Sequence, residues 1–424
     1  MKEISTATLI VLASLSCFSQ SSEKISLSQL HKMLEQNHPI ASIKTALDSS
    51  ANLQVKNINA IWFPKVDANA TATWQSDVIE FNIPFPGITI PSPDPDQYKL
   101  TLDATQIIWD GGATKARKEL AYAQNNAEKS GITNELYALR ERVNDAFFGI
   151  IILDITENQL RIMLDELKAR LESIKSGIRE GVVLESSQFS LHAEILRLEQ
   201  RMMEIPSRKV SLISVLESLT GITINEQAHF TVPEINDDNR IYLLRPELQS
   251  FTLQKSVVDA KVELSSKRRM PTIAGFVTAG YGKPGLNMLS NEWDTYVVAG
   301  AKLSWSIWDW NITNRERQIL MVQSNIVDLR KQAFEDAINM QITSSLKEIE
   351  TIKQQMKKDE EIIELLEAVK AKSASQLANG TISSTEYLAD FNSAARAKLD
   401  LECRKMMLVK EKTKLCYLKG EPIE

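Results

Sequence analysis

Proline is missing from two long stretches of this 424-residue chain: none occurs between Pro95 and Pro206, and none between Pro284 and Pro422. An interior proline costs a helix about 3 kcal/mol, so such gaps point to continuous helix. Cysteine is nearly absent too. Cys17, Cys403 and Cys416 are too few for a disulfide framework. Cys403 and Cys416 fall on one predicted helix about 20 Å apart along its axis, too far to bond within the chain. Basic charge is not in excess: the net charge is −6, whereas a nucleic-acid binder carries a basic face, so no nucleic-acid partner is expected. Beyond the N-terminus no run approaches about 18 apolar residues, so no membrane-spanning helix is expected there. Catalytic patterns are missing as well. His31, His38, His192 and His229 are scattered, with no His-Glu-x-x-His, no Cys-x-x-Cys and no phosphate-cradling Gly-Lys-Ser/Thr. No enzyme, cofactor or metal site is expected.

Residues 1–20 read as a secretory signal peptide. Lys2 gives a positive start, Leu9 to Leu15 an apolar stretch, and Cys17 to Ser21 a cleavage region. Cys17 leaves open a lipoprotein reading, with acylation of its sulfur, although Ser14-Leu15-Ser16 fits that signal poorly.

What the chain does contain is itself, twice. Pro39 and Pro64 recur 207 residues later as Pro246 and Pro271, and Trp109-Asp110 recurs 199 residues later as Trp308-Asp309. Gly181 recurs as Gly380, again at 199. Such an offset is too long for a solenoid unit, whose period is roughly 20–50 residues. It reads as a duplicated half-protein, 21–227 and 228–424. Each half is expected to run helix, strand, loop, strand, very long helix, turn, returning helix. The offset changes once, between Pro64 and Trp109, so one loop differs in length.

From Ile132, steps of four and three land on Leu136, Leu139, Val143, Ala146, Ile150, Leu153, Glu157, Leu160, Leu164, Leu167, Leu171, Ile174 and Ile178. All but Glu157 are apolar. This heptad seam predicts a coiled-coil helix over about 112–178. After a turn at Gly181 the seam resumes from Leu184 in a helix over about 184–219. The second half repeats the plan with helices about 311–378 and 383–419, turning at Asn379-Gly380-Thr381. Ser383 and Glu386 are spaced as a capping box. The plainer reading of the heptads is antiparallel packing in a soluble bundle, and the length of the helices argues against it.

Between helices the period changes to two. Val66, Ala68, Ala70, Ala72 and Trp74 alternate with Lys65, Asp67, Asn69, Thr71 and Thr73. Leu100, Leu102 and Ala104 alternate with Lys99, Thr101 and Asp103. Val297 to Ile307 alternates with Lys302, Ser304 and Ser306, while Thr272 to Tyr281 alternates less clearly. Strands are expected at about 64–76, 97–109, 271–281 and 295–308. Each has the length that crosses a bilayer as tilted strand, and tryptophans cluster near the ends. Soluble hairpins with one wet face remain the alternative. Four strands cannot close a barrel, and an open edge in lipid leaves costly unpaired backbone groups, so strands in a membrane require assembly of several copies.

The chain resembles the TolC family of outer-membrane efflux proteins. The resemblance rests on the duplication, on Asn37-His38-Pro39, on Gln106-Ile107-Ile108-Trp109-Asp110-Gly111-Gly112, and on the turns Gly181-Val182-Val183-Leu184 and Gly380-Thr381-Ile382-Ser383. It implies a mainly helical protomer with a small β part. Three copies would form a twelve-strand β-barrel in the outer membrane of a Gram-negative bacterium, continuing into a twelve-helix periplasmic α-barrel. It implies a passive exit duct fed by an inner-membrane pump, RND-type or ABC-type, through a periplasmic adaptor, in tripartite efflux or type I secretion. Gly181, Val182, Gly380, Thr381 and Ser383 match the adaptor-contact tip. Glu386 matches an acidic constriction position or serves only as a cap. Asp390 is the second constriction candidate, since Ala389 stands where a carboxylate is common. Lys65, Asp67, Asn69, Thr71, Thr73, Lys99, Thr101, Asp103, Lys302, Ser304 and Ser306 would line the barrel lumen. A soluble periplasmic coiled-coil scaffold or adaptor is the competing reading.

Overall fold

A computed structural model describes residues 24–79, 92–235 and 243–423. The expected signal peptide, Cys17 and the middle of the proline-rich loop lie outside these. In chain order the elements are β1 (Lys24–Ser26), α1 (Leu27–Asn37), α2 (Pro39–Asn59), β2 (Lys65–Trp74), β3 (Asp96–Trp109), α3 (Ala113–Arg179) and α4 (Glu185–Thr220). Then come β4 (His229–Thr231), α5 (Pro246–Lys267), β5 (Thr272–Lys283), β6 (Asp294–Ser304), α6 (Ile312–Ala378) and α7 (Ser384–Lys419). The protein is mainly helical. Helices α3 and α6 each have 67 residues, about 100 Å of rod. Among the described residues no helix is long and apolar enough to cross a membrane.

Four strands form one antiparallel sheet in the order β2-β3-β5-β6. Each continues directly into a helix, and the helices pack in the matching order α2, α3, α5, α6. Ladder positions coincide across the halves. Lys65 pairs with Thr105 and Trp74 with Asp96, while Thr272 pairs with Ser304 and Tyr281 with Thr295, at the offsets of 207 and 199. Side-chain bonds recur at the same offsets. The Asp48–Lys129 ion pair at 2.8 Å has its counterpart in Lys255–Asp328 at 2.7 Å, with the charges exchanged. Gln106 donates to the Trp62 carbonyl, and Trp305 donates to that of Arg269.

The Trp-Asp pairs gain a physical meaning here. Asp110 accepts from the backbone N–H groups of Gly112 and Thr114, and Asp309 from those of Asn311 and Thr313. Each carboxylate satisfies donors that the first turn of a long helix leaves unpaired. Asn37-His38-Pro39 is likewise a joint. Asn37 donates to the carbonyl of Thr220 near the end of α4, the His38 ring accepts from Ile40 N–H, and Pro39 opens α2, where its missing N–H costs nothing.

The heptad positions pack as their spacing predicts. Leu160, Leu164, Leu167, Leu171 and Ile174 of α3 are buried against Leu191, Ile195, Leu198 and Ile205 of α4, with Leu377, Tyr387 and Phe391 from the second hairpin. A second core surrounds α1: Leu27, Leu30 and Leu34 meet Phe147, Phe148 and Ile150 of α3, Leu216 of α4 and Phe230 of β4. There β1 pairs in parallel with β4. The buried His31 is bonded to Asn144 at 2.7 Å, and burial pushes its pKa from 6.5 down to about 4.

The fourth strand is shorter than the alternation predicts. It ends at Ser304, so Ser306 lies beyond the sheet. The next partner position would be Pro271, which has no N–H to continue the ladder.

Candidate functional site

The sheet has two chemically distinct faces. Val66, Ala68, Ala70 and Ala72 stand opposite Ala104, Leu102, Leu100 and Tyr98; Val277, Ala279 and Tyr281 of β5 and Val297, Ala299 and Leu303 of β6 share that side. It is open: Val66, Leu100, Leu102, Val297 and Leu303 are all more than half exposed. A contiguous apolar surface of this kind marks a place of contact with lipid or protein. At one end Trp293 stacks on both Tyr98 and Tyr281, at 5.9 and 5.1 Å. At the other, Trp305, Ile307, Trp308 and Trp310 are exposed.

The opposite face carries the residues expected to be polar. Lys65, Asp67, Asn69, Thr71 and Thr73 pair in turn with Thr105, Asp103, Thr101, Lys99 and Gln97. Lys302 and Ser304 share this face through their partners Ala274 and Thr272. Asp103 is the hub. It accepts from Asn69 and Thr101 at 2.8 Å each and from Thr278 at 2.5 Å, tying three strands together. Lys65 pairs with Asp67 at 2.9 Å, which eases the placing of Asp67 directly opposite Asp103.

Sequence reasoning missed the contribution of β5 to this face: Phe276, Thr278 and Gly280, with Tyr296 and Val298 of β6. The Tyr296 ring covers Gly280, where a Cβ would sit 2.2 Å from the ring, and Phe276 covers Gly300. Glycine opposite an aromatic in a strand was the available signal.

The two turns at the far ends of the long helices are built alike. Gly181 and Gly380 have φ of +73° and +68°. In the first turn Val182 N–H bonds to the Gly177 carbonyl and Gly181 N–H to that of Ile178. In the second, Thr381 N–H bonds to Gln376 and Gly380 N–H to Leu377. Both are the paired closing bonds of a Schellman stop. The glycines nonetheless differ. A Cβ on Gly181 would meet open space, whereas one on Gly380 would lie 2.5 Å from the Val182 carbonyl oxygen. The tips of the two hairpins therefore touch.

Ser383 and Glu386 form the expected capping box: Glu386 N–H bonds to Ser383 Oγ, and Ser383 N–H to Glu386 Oε2. Leu184 begins α4 without a side-chain cap. Asp390 is turned toward its own hairpin, where Ser373 Oγ donates to it. Above the tips, Lys370 of α6 reaches both Glu166 of α3 and Glu367 at 3.2 Å, and Lys398 meets Glu367 at 2.9 Å. Burial would raise the Glu367 pKa, but Lys398 and Lys370 hold it below the usual carboxylate range. Among the described residues no cluster of three or more His, Cys, Asp or Glu could hold a metal ion.

Long paired helices that adjoin a sheet with one apolar and one polar face are an arrangement this chain shares with solved outer-membrane channels. Among solved structures the chain is similar to the CmeC outer membrane channel of Campylobacter jejuni, at 14% identity and TM-score 0.64, covering 94% of this chain and 86% of that one. It is similar to the outer membrane protein VceC of Vibrio cholerae, at 14% identity and TM-score 0.66, covering 94% and 97%. It is also similar to the MtrE outer membrane channel of Neisseria gonorrhoeae, described in its open state, at 13% identity and TM-score 0.64, covering 93% and 89%. No family profile and no curated protein sequence matches. The fold of this chain is thus the TolC-type fold that its motifs resemble.

Proposed function

We propose that three copies of this chain form a continuous duct through the outer membrane of a Gram-negative bacterium and into the periplasm. The observation that carries this reading is the sheet. Among the described residues its outer edges, on β2 and β6, have no further partner, and one face is apolar and exposed. In lipid such edges must be paired, and closure by copies of the chain is the way to pair them. Three copies supply twelve strands. Because each strand runs into a helix in the same order, the barrel continues as a helical tunnel of equal symmetry. The chain reads as two copies of one unit, 21–227 and 228–424, so the duct has six similar sectors.

The polar face then lines the lumen, with Lys65, Asp67, Asn69, Thr71, Thr73, Lys99, Thr101, Asp103, Lys302 and Ser304. Charges of both signs suit passage of varied solutes rather than strict selection. The duct is a passive exit in tripartite efflux or type I secretion, with an inner-membrane pump of RND or ABC type supplying energy. Gly181, Val182, Gly380, Thr381 and Ser383 form the periplasmic tip that meets the adaptor. Glu386 and Asp390 narrow the entrance there only by leaving their present partners, Ser383 and Ser373. Residues 1–20 direct export as a cleaved signal; only in the alternative, with cleavage just before Cys17, would that residue carry a lipid.

Cell fractionation separates this reading from a soluble periplasmic scaffold. The duct is expected in the outer-membrane fraction, released only by detergent. Recovery in the soluble periplasm without detergent would overturn it.

A further inference from the structure

The coincidence of the two halves places a specific contact between copies. Resting on the trimeric reading above, we infer that Trp310 of one protomer packs on Phe63 of the next at the foot of the sheet. This contact sets the register in which the copies join.

Within one chain, β3 and α3 lie against β5 and α5. At that joint Gly111 presses on Met270, so closely that a Cβ on Gly111 would fall 2.2 Å from the Met270 Cβ. Residues of β3 and α3 correspond to those of β6 and α6 at an offset of 199. Residues of α2 and β2 correspond to those of α5 and β5 at 207. Carried to the outer edges of the protomer by these offsets, Gly111 becomes Trp310 and Met270 becomes Phe63. Trp310 follows β6 and Phe63 precedes β2, and these strands are the two opposite edges of the sheet. They meet only when a second copy is placed beside the first. The same operation carries the bond between Thr278 and Asp103 to Thr71 and Lys302, which sets β6 beside the next copy's β2 with Lys302 facing Thr71.

Two further observations favour the aromatic contact. Both side chains are left bare in the single chain, Trp310 at 76% exposure and Phe63 at 69%. Trp310 also keeps a backbone conformation made for glycine. Gly111 and Gly112 have φ of 65° and 86°; Trp310 and Asn311 keep 52° and 66° at the corresponding places. Bulky residues are outliers there, and such strain persists where the surroundings hold it. Inside the chain the joint lies below a ladder that pairs from Tyr98 to Trp109, with one bulge between Ile107 and Trp109, and tolerates a glycine. Between copies the same place bears two large rings. Trp310 has a Cβ where Gly111 has none, so the joint between copies is the wider of the two.

The test uses the full-length protein purified in detergent, with Cys403→Ser and Cys416→Ser as background. Thr71→Cys combined with Lys302→Cys is expected to give disulfide-linked dimers and trimers under mild oxidation. Asp67→Cys with Lys302→Cys, displaced by four residues, should give none, and neither should any single variant. Trp310→Gly restores the residue of the first half and relieves the backbone. Its assembly is nevertheless expected to dissociate at a lower temperature than the parent's, as is that of Phe63→Ala, and the double variant should fall no further than the weaker single one. An assembly made more resistant by Trp310→Gly would overturn the contact, since relief of strain would then be the whole effect. Absence of the Thr71–Lys302 cross-link, with native mass spectrometry still finding three copies, would overturn the register while leaving the duct standing. A monomeric parent would overturn the trimeric reading and this contact with it.

Discussion

His31 shows how a single side chain bears on stability. It is buried in α1 beside Asn144, and its pKa is lowered from 6.5 to about 4. The unfolded chain therefore binds a proton at His31 between those values, while the folded chain does not. Stability from this group is complete above about pH 6.5 and declines as pH falls toward 4, by up to about 3 kcal/mol. Unfolding midpoints measured at pH 7 and pH 4.5 should differ by less in His31→Gln than in the parent; an equal drop would remove His31 as the cause. The turn glycines make a second case. Gly380→Val places a Cβ against the Val182 carbonyl in a left-handed conformation, at a cost of roughly 1–3 kcal/mol confined to the tip. Trimers should form while export fails, in a cell-based export assay. Full export would show that the tip is not where the duct meets its feeding machinery. Gly181→Ala meets open space and should be milder.

At the scale of elements, what was legible in the sequence depended on how local its cause is. The long helices were legible because proline is absent, the heptads are strict in α3 and glycine ends each rod. The seam of α6 is looser because Met356, Ile363 and Leu366 are only half-buried, whereas Ile338, Ile342, Ile349 and Ile352 are buried. Strand β5 was harder to read, because Phe276 lies on the polar face and Gly275 and Gly280 interrupt the alternation. The end of β6 depended on Pro271 of a neighbouring strand, which no pattern within β6 can report. The contact of Gly380 with Val182 and the bond of Asp390 to Ser373 likewise arise from packing between distant segments. The exchanged ion pairs yield a prediction at this scale. Asp48→Lys with Lys129→Asp reproduces the polarity of Lys255–Asp328 and should leave the unfolding midpoint within about 1 kcal/mol of the parent. The single variant Lys129→Asp, which sets two carboxylates together, should be the less stable. If the double variant is the worse of the two, the pairs are not equivalent.

For the whole molecule, the open edges, the apolar outer face and the continuation of each strand into a helix are one arrangement. In the proposed duct a closed wall satisfies the strand edges, and the polar face lines its inside. The central claim is that copies of this chain enclose a water-filled path. It is tested most directly by adding the purified, detergent-solubilised protein to a planar lipid bilayer and recording current in symmetrical salt. The duct should give discrete, reproducible conductance steps, each marking insertion of one assembly. Well-folded trimers that insert and pass no current at any voltage would contradict it.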